Sequence, residues 1–319
     1  MQHSTTCVID WNTLSLDEWH SRFAQIRKAP LTQSYEYAIA ASPVLGQTPR
    51  WGVIKINNKE AGLIQIMEAG LFKNALHGVN LDFGPLWFKG CDTAKNWDLF
   101  LTQYNKLFPR RFGRKRRCLF NKNNTSIEQQ LTDNKYKKST RIKEYETIWI
   151  DLKKDQNKLL ENLDSKQRNR IRKTEKKDVG ILWDQLGLDI DWLLKNYMRD
   201  RLMKNYAGAS PKLIRSMCRI FGKDKKILMG TAIKDGEKIG AILIFYHGKS
   251  ATYQIGWSSD IGRKHGVNAY LLWNAFAKLK GDDIHDFDLG GINNDTAQSI
   301  KKFKQSFGGE ITRYSGLYT

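Results

Sequence analysis

The hydrophobic and polar positions of the first fifty residues predict two helices. The first is predicted over residues 15–26, where Ser15 and Glu18 stand at the two positions of a capping box. Pro30 follows and ends this helix. A second, shorter helix is predicted over residues 33–41.

A hairpin pattern occurs twice in the chain. Residues 57–66 (NNKEAGLIQI) and 235–244 (DGEKIGAILI) each begin with a turn pair and continue as an apolar strand. Asn-Asn and Asp-Gly both tolerate the left-handed geometry of a tight hairpin turn. Because the turn, a charged pair and a glycine fall at the same offset in both segments, the sequence predicts two copies of one α/β unit.

The composition is that of a globular protein with one large or two medium domains. The chain has 319 residues, of which 40% are hydrophobic and 11% aromatic. No apolar run approaches the roughly 18 residues of a membrane helix, and the first residues lack the pattern of a secretory signal. The four cysteines are scattered, so we expect reduced thiols in the cytoplasm and no disulfide framework.

A formal net charge of +20 makes a polyanionic partner the first functional expectation. Nucleic acid, an anionic lipid surface and a pyrophosphate-bearing precursor all fit such a field. The charge is clustered, with six cations in residues 110–117 and a second basic run at 135–143. A lysine-rich surface without a dedicated partner is the alternative. An apolar segment then starts at residue 148, and we place a domain boundary near residue 146.

A third basic stretch, residues 165–181, predicts a cationic helix followed by a short strand. Its charges spread over more than one helical face, so most of them must meet water or a polyanion. The functional hypothesis is a site for tRNA or a phosphate group, formed by Arg168, Arg170, Arg172 and Lys173. A plain surface helix that buries only Ile171 fits the sequence equally well.

The C-terminal region carries the most specific motif. Asp288 closes an apolar run, Gly290-Gly291 follows, and ten residues later a short basic and aromatic helix ends in Phe307-Gly-Gly. Glycine pairs allow close backbone approach and positive φ. Together with the basic helix upstream, this arrangement resembles the Fem family, the peptidoglycan-bridge aminoacyltransferases that take amino acids from charged tRNA. The resemblance covers residues 145–319 well and the first third of the chain weakly.

The resemblance implies an α/β fold of two GNAT-like (acyl-CoA N-acyltransferase) domains, with mixed central sheets flanked by helices. The first domain is expected over residues 1–145 and the second over 146–309. A C-terminal strand at 310–319 is expected to complete the first domain. The implied function is aminoacyl transfer from aminoacyl-tRNA to an amine of a peptidoglycan or polysaccharide precursor. We expect it in the cytoplasm, where peripheral association with the inner face of the membrane is compatible with the charge.

Phe303 and Lys304 are the residues that we expect to carry the chemistry. Aminoacyl transfer passes through a tetrahedral oxyanion, so the enzyme mainly aligns reactants and stabilises negative charge. A lysine ammonium can stabilise that charge, and the preceding phenylalanine can support the aminoacyl-adenosine end by stacking. The resemblance implies the same roles and adds Tyr253 as a residue that faces the acceptor. A surface lysine and a half-buried strand tyrosine are the alternatives.

Residues that bind the acceptor are implied by the resemblance alone. Arg201 and Tyr206 match the region for the precursor's diphosphate and sugar, and Asp82 matches a position that can bind the acceptor amine. A turn-capping aspartate is an equal alternative for Asp82. The first domain departs from the family pattern, because Ala41 stands where a diphosphate-binding lysine is expected. A different anionic acceptor, such as a lipid-linked or nucleotide-linked sugar, therefore fits as well.

A loop that resembles the acetyltransferase CoA motif supports a second enzyme hypothesis. Arg263, Gly266 and Asn268 follow a strand and open a helix, and a helix N-terminus can bind the CoA diphosphate. Asn268 is bulkier than the small residue of that motif, and it can also cap the helix. An acyl-CoA-dependent N-acyltransferase is thus the alternative to the tRNA-dependent enzyme, for which no cofactor is expected.

Other functions find less support in the sequence. The six histidines show no ligand spacing with cysteine or acidic residues, so no metal site is expected. Fingerprints of nucleophile-elbow hydrolases and of Walker A or Rossmann nucleotide binders do not occur. A nucleic-acid-binding protein with an inactive transferase fold is the third hypothesis, since the charge alone allows it.

Overall fold

The structure of the protein is a computed structural model that describes residues 6–121, 126–140, 142–204, 208–293 and 298–319. The chain divides into two compact units. The first comprises Met1–Tyr145 together with Arg313–Thr319, and the second comprises Glu146–Thr312. Within the described ranges, no helix is both long and apolar enough to cross a membrane.

Both units contain strands and helices. The strands are β1 (Cys7–Trp11), β2 (Thr48–Ile56), β3 (Lys59–Leu71), β4 (Leu76–Gly84), β5 (Leu86–Trp87), β6 (Arg114–Phe120), β7 (Glu146–Asp151), β8 (Gly180–Asp184), β9 (Ile227–Lys234), β10 (Glu237–His247), β11 (Ser250–Ser258), β12 (Asp286–Asp288), β13 (Glu310–Arg313) and β14 (Leu317–Tyr318). The helices are α1 (Leu16–Phe23), α2 (Tyr35–Leu45), α3 (Ala94–Leu107), α4 (Glu128–Asp133), α5 (Gln156–Asn162), α6 (Ser165–Glu175), α7 (Ile190–Lys204), α8 (Pro211–Phe221), α9 (Asp260–His265), α10 (Val267–Gly281) and α11 (Gln298–Gln305).

The first unit is built on a mixed sheet in the order β1-β2-β3-β4-β6-β14, with β5 paired to β3. The pairs are antiparallel except β4 and β6, which run parallel and are joined through α3. Because side chains alternate along a strand, the sheet buries both faces. Ile64 packs in the core under α3 with Trp97, and its neighbour Leu63 packs with Trp19 and Phe23 of α1.

The second unit repeats this plan. Its sheet has the order β13-β7-β12-β11-β10-β9-β8. The antiparallel strands β9, β10 and β11 are followed by the crossover helix α10, which leads to β12 parallel to β11. The core contains Leu272 and Phe276 of α10 together with Ile244 and Phe287 of the sheet. The expected α/β class, with mixed sheets flanked by helices, is therefore confirmed.

The duplicated hairpins have the turns that their sequences predict. Asn57 and Asn58 have φ of 49° and 62° between β2 and β3, and Asp235 and Gly236 have φ of 49° and 78° between β9 and β10. Left-handed backbone at both central residues matches the twist of the flanking strands. The turn residues thus form the same kind of hairpin in both units.

The two N-terminal helices differ from the sequence prediction in their bounds. Both halves of the predicted capping box form, since the Ser15 and Glu18 side chains accept each other's backbone N–H. The second helix begins after Ser34, whose hydroxyl accepts the N–H of Tyr37, and it extends to Gly46 with φ 64°. A serine N-cap and a left-handed glycine, rather than the apolar pattern, therefore set its ends.

The C-terminal segment 310–319, expected as one strand of the first domain, is divided between the two sheets. β13 lies beside β7 in the second sheet, whereas β14 pairs with β6 in the first, with Leu317 opposite Leu119. The Phe120 N–H donates to the Ser315 hydroxyl between the two strands. The first unit therefore gains a strand of two residues from the end of the chain.

Candidate active site

A tight turn after β12 is the centre of the candidate site in the second unit. The Asp288 carboxylate accepts hydrogen bonds from the Gly290 N–H at 2.7 Å and from the hydroxyl of Thr147 on β7. Gly290 has φ 76°, and a Cβ there would lie 3.1 Å from the Tyr253 carbonyl oxygen and 3.3 Å from Lys304 Nζ. The turn thus needs glycine both for its backbone conformation and for the approach of the lysine.

Helix α11 places Lys304 against this turn. Lys304 is 9% exposed, whereas Lys302 on the same helix is exposed. The ammonium donates a hydrogen bond to the Gly291 carbonyl oxygen at 2.9 Å. Burial lowers the pKa of Lys304 from 10.5 to about 8, and the negative charge of Asp288 opposes part of that decrease. The site therefore holds a cation that is largely removed from water.

Asp288 is the buried counter-charge of this lysine. Burial raises the pKa of its carboxyl, and the hydrogen bonds from Thr147 and Gly290 and the charge of Lys304 oppose only part of that rise. Both groups are poorly solvated, so each depends on the other and on its hydrogen bonds for the charged form. The charge of Asp288 thus offsets part of the cost of burying the Lys304 ammonium beside the Gly290-Gly291 turn.

Two aromatic residues are predicted to act with Lys304: Tyr253 on β11 and Phe303, the residue before it on α11. The Lys304 ammonium is 5.9 Å from the centre of the Tyr253 ring on β11, within the range of a cation–π interaction. Burial raises the pKa of the Tyr253 phenol well above its ordinary value, so the hydroxyl stays neutral. Phe303 is half-buried and packs edge-on against Phe307, with ring centres 5.3 Å apart. Tyr253 is therefore the aromatic residue beside the Lys304 ammonium, whereas Phe303 packs α11 against the hydrophobic core.

The predicted phosphate-binding cations of α6 fall into two groups. Arg168 donates to the carbonyl oxygens of Glu161 (2.9 Å) and Leu163 (3.2 Å) and so satisfies the end of α5. The stem of Arg170 packs on Gly266, where a Cβ would come within 2.4 Å of its carbon atoms. Arg172 and Lys173 are exposed. The helix therefore uses two of its cations within the fold and presents two to solvent.

The loop that resembles the CoA motif is a short helix, α9, ending at Gly266 with φ 71°. Arg263 donates to the Ser258 carbonyl oxygen at 2.6 Å and forms an ion pair with Asp260. Asn268 does not cap α10, because Gly266 occupies the N-cap position and no side chain caps this helix. The helix-cap alternative for Asn268 is therefore wrong. Within the described part of the chain, the buried Oδ1 of Asn268 has no hydrogen-bond partner.

The predicted acceptor residues of the second unit are described only in part. Arg201 on α7 donates to the Ala209 carbonyl oxygen at 3.2 Å, and its guanidinium lies 5.5 Å from the Tyr197 ring centre. Tyr206 lies outside the described residues. Arg201 thus holds the chain that enters α8.

Asp82 belongs to the first unit, at the end of β4. Its carboxylate forms an ion pair with Arg117 of β6, and both side chains are partly exposed. Burial raises the pKa of Asp82 despite this arginine, and burial with the Asp82 charge raises the pKa of the Tyr37 hydroxyl to about 12. The Gln33 amide donates to the Asp82 carbonyl oxygen at 2.8 Å. Asp82 is therefore an ion-paired carboxylate at the end of a strand and does not cap a turn.

Comparison with known proteins assigns the fold. Residues 165–304 match the family described as acetyltransferase (GNAT) domain, which is less than half of the chain. The crystal structure of FemX superposes with a TM-score of 0.77 at 12% identity, covering 97% of this chain and 96% of that chain. The chain has a FemX-like GNAT fold. A search of curated proteins gave no match.

Two further solved structures share this FemX-like GNAT fold more distantly. The C-terminal domain of a putative lysylphosphatidylglycerol synthetase from Agrobacterium fabrum has a TM-score of 0.51 at 13% identity, covering 81% of this chain and 80% of that chain. A tandem GNAT protein from the clavulanic acid biosynthesis pathway has a TM-score of 0.50 at 11% identity, covering 98% of both chains. The second of these also contains two GNAT units in tandem, by its name.

The sequence alone does not assign Asp288, Thr147 or the Gly291 carbonyl oxygen to the site of this FemX-like fold. Asp288 is recognisable as an acidic residue before Gly-Gly at a strand end. Thr147 leaves no signal in the sequence, because only the pairing of β7 with β12 brings it to Asp288. Among the described residues, no group of three or more His, Cys, Asp or Glu side chains is placed to hold a metal ion.

Proposed function

We propose that this chain is an aminoacyltransferase that moves an amino acid from aminoacyl-tRNA to an amine of a cell-envelope precursor. The observation that carries the proposal is the buried ammonium of Lys304, held by the Gly291 carbonyl oxygen beside a glycine turn. A positive charge in a poorly solvated place interacts strongly with developing negative charge. The FemX-like fold supports the same class of reaction by analogy alone.

The reaction needs little more than alignment and charge stabilisation. The acceptor amine forms a C–N bond to the ester carbonyl carbon, and the carbonyl oxygen becomes an oxyanion. The C–O bond to the ribose then breaks, and the proton lost by the amine ends on the ribose oxygen. We assign to Lys304 the stabilisation of the oxyanion and to Tyr253, whose hydroxyl stays neutral, the positioning of the acceptor. We assign Phe303 to the wall of the pocket that holds the aminoacyl-adenosine end of the tRNA.

The donor is assigned as tRNA because of the charge. The chain carries +20, and Arg172 and Lys173 of α6 are exposed cations. Binding that neutralises phosphates releases counterions and falls steeply with salt. We assign these two residues to the tRNA backbone, whereas Arg168 and Arg170 act by shaping α6.

The acceptor is assigned as an anionic, nucleotide- or lipid-linked precursor. In the partly exposed pair of Asp82 and Arg117, the carboxylate can accept a hydrogen bond from the substrate amine and the guanidinium can donate to a phosphate oxygen. Arg201 and Tyr206 are assigned to the diphosphate and sugar, as the family resemblance implies. The reaction then takes place in the cytoplasm, where such precursors are charged and soluble or lie at the inner face of the membrane.

Acyl-CoA is the weaker donor hypothesis for a physical reason. The backbone N–H groups of Gly262, Arg263 and Gly266 already donate to Ser259 and Arg263 within the loop. The Arg170 stem packs directly on Gly266. A diphosphate cradle needs those N–H groups and that space, so the loop is poorly suited to the ordinary CoA site.

A donor competition assay tests the proposal. The purified protein is incubated with labelled aminoacyl-tRNA or labelled acetyl-CoA, and with nucleotide-linked and lipid-linked amine acceptors. We expect transfer from aminoacyl-tRNA and none from acetyl-CoA. Label moving only from CoA would establish the alternative enzyme, and tRNA binding without transfer to any acceptor would establish the nucleic-acid-binding protein.

A further inference from the structure

Four large apolar side chains of the first unit are exposed close to one another. Leu71, Phe72 and Leu76 flank the turn between β3 and β4, and Phe112 lies in the loop before β6. Phe72 is 79% exposed and Phe112 is 99% exposed. We call these four residues the hairpin-tip patch. Exposed apolar side chains that are grouped, rather than scattered, mark an interaction surface.

The two loops that carry the patch are tied together. The Arg111 guanidinium donates to the Ala75 carbonyl oxygen at 2.9 Å and also to the Asn74 carbonyl oxygen. The His77 N–H donates to the Gly113 carbonyl oxygen at 2.8 Å, which continues the parallel pairing of β4 and β6. The patch therefore lies at one end of the neighbouring strands β3, β4 and β6, where the hairpin and the loop present their side chains together.

The backbone of the hairpin turn is held in an unfavourable conformation. Phe72, Lys73 and Asn74 have φ of 50°, 54° and 67°, so three consecutive non-glycine residues are left-handed. Strained backbone persists where the surrounding structure enforces it and often marks a functional surface. Here the turn leaves the Phe72 ring in solvent, where it contributes nothing to the core.

The charge around the patch has one sign. Residues 71–77 and 110–117 contain no aspartate or glutamate. Of the six cations in the second segment, Arg116 is buried and Arg117 is paired with Asp82. The other four, Arg110, Arg111, Arg114 and Lys115, lie with Lys73 at the end of the strands that carries the patch. The nearest acidic residue along β3 is Glu68, which is bonded to Arg50 and His77. Aromatic and aliphatic side chains surrounded by Lys and Arg suit the boundary between anionic headgroups and acyl chains.

We propose that the hairpin-tip patch docks the protein on the surface of an anionic phospholipid bilayer, with Phe72 and Phe112 entering the headgroup region. A protein partner fits less well, because a stable interface needs roughly 800 Å² from each side and a shaped surface, whereas these side chains project from loop tips. The inference rests on the patch alone and is independent of the proposed function.

Vesicle co-sedimentation of the full chain tests this inference. We expect binding to vesicles of phosphatidylcholine with phosphatidylglycerol, and at least about tenfold weaker binding to phosphatidylcholine alone. The double variant Phe72→Ser with Phe112→Ser should bind the anionic vesicles at least about tenfold more weakly. The control Leu188→Ser with Leu202→Ser removes two equally exposed apolar side chains from the second unit and should bind normally.

A spectroscopic arm reports insertion directly. Because the chain has ten tryptophans of its own, the signal is the difference in emission between the Phe112→Trp variant and the parent chain. On anionic vesicles this difference should shift to shorter wavelength and be quenched by brominated acyl chains. When Phe72→Ser is added to Phe112→Trp, the shift and the quenching should be lost. Unchanged vesicle binding by the folded double variant would overturn the proposal. So would a patch-dependent change of oligomeric state without vesicle binding, because the patch would then join two copies of the chain.

Discussion

At the scale of single residues, the burial of Lys304 is the property on which the proposed catalysis depends. We expect Lys304→Ala to lower the single-turnover rate of transfer from labelled aminoacyl-tRNA by about two orders of magnitude or more, because the oxyanion loses its buried cation. Lys302→Ala is the matched control, since Lys302 is exposed on the same helix. Near-normal transfer by folded Lys304→Ala protein would remove Lys304 from the mechanism.

The same burial predicts that Lys304 lowers the stability of the fold. Its folded pKa of about 8 lies below its ordinary 10.5, so the unfolded chain binds more protons between these values. The penalty is therefore complete below about pH 8 and disappears as the pH rises toward 10.5. We expect Lys304→Met to raise the free energy of unfolding at pH 7 by about 1–2 kcal/mol, after the lost hydrogen bond to Gly291 is included.

Denaturant unfolding at pH 7 and pH 10 checks this prediction, with Lys302→Met as the control. The gain should shrink at the higher pH. A Lys304→Met protein that is less stable than the parent at pH 7 would show that the lysine serves mainly to hold the Gly290-Gly291 turn.

At the scale of elements, α6 divides its charge between the fold and the solvent. We expect Arg172→Gln with Lys173→Gln to weaken tRNA binding and to lower the slope of log Kd against log salt by about 1.5, because two phosphate contacts are lost. Lys223→Gln with Lys225→Gln removes two exposed cations elsewhere in the second unit. That control should keep the parent slope, and an equal decrease in both variants would make the effect one of net charge alone.

At the scale of the whole molecule, the end of the chain contributes to the first unit. Tyr318 is buried beside Phe120, and the Lys137 N–H donates to the Thr319 carbonyl oxygen. We expect deletion of residues 314–319 to destabilise the first unit by at least about 3 kcal/mol, because a buried aromatic side chain and a strand are lost. Hydrogen exchange by mass spectrometry should show faster exchange in residues 6–121 and unchanged exchange in β9 to β11. Equal loss of protection in both units would contradict their separate stability.

The sequence by itself determined the features that depend on neighbours along the chain. The capping box of Ser15 and Glu18, the hairpin turns at Asn57 and Asp235, and the α/β class all follow from residues a few positions apart. The motif around Asp288 and Lys304 was also visible, because a strand end, two glycines and a short helix leave a local pattern. These are short-range rules of backbone conformation.

Only the tertiary structure decided what each charged side chain meets. Arg168 satisfies the carbonyl oxygens of α5, Lys304 is desolvated against the Gly290-Gly291 turn, and segment 310–319 is divided between two sheets. The Thr147 hydroxyl reaches Asp288 across 141 residues of sequence. Burial and the direction of a long side chain are set by packing between distant segments, so no local pattern specifies them.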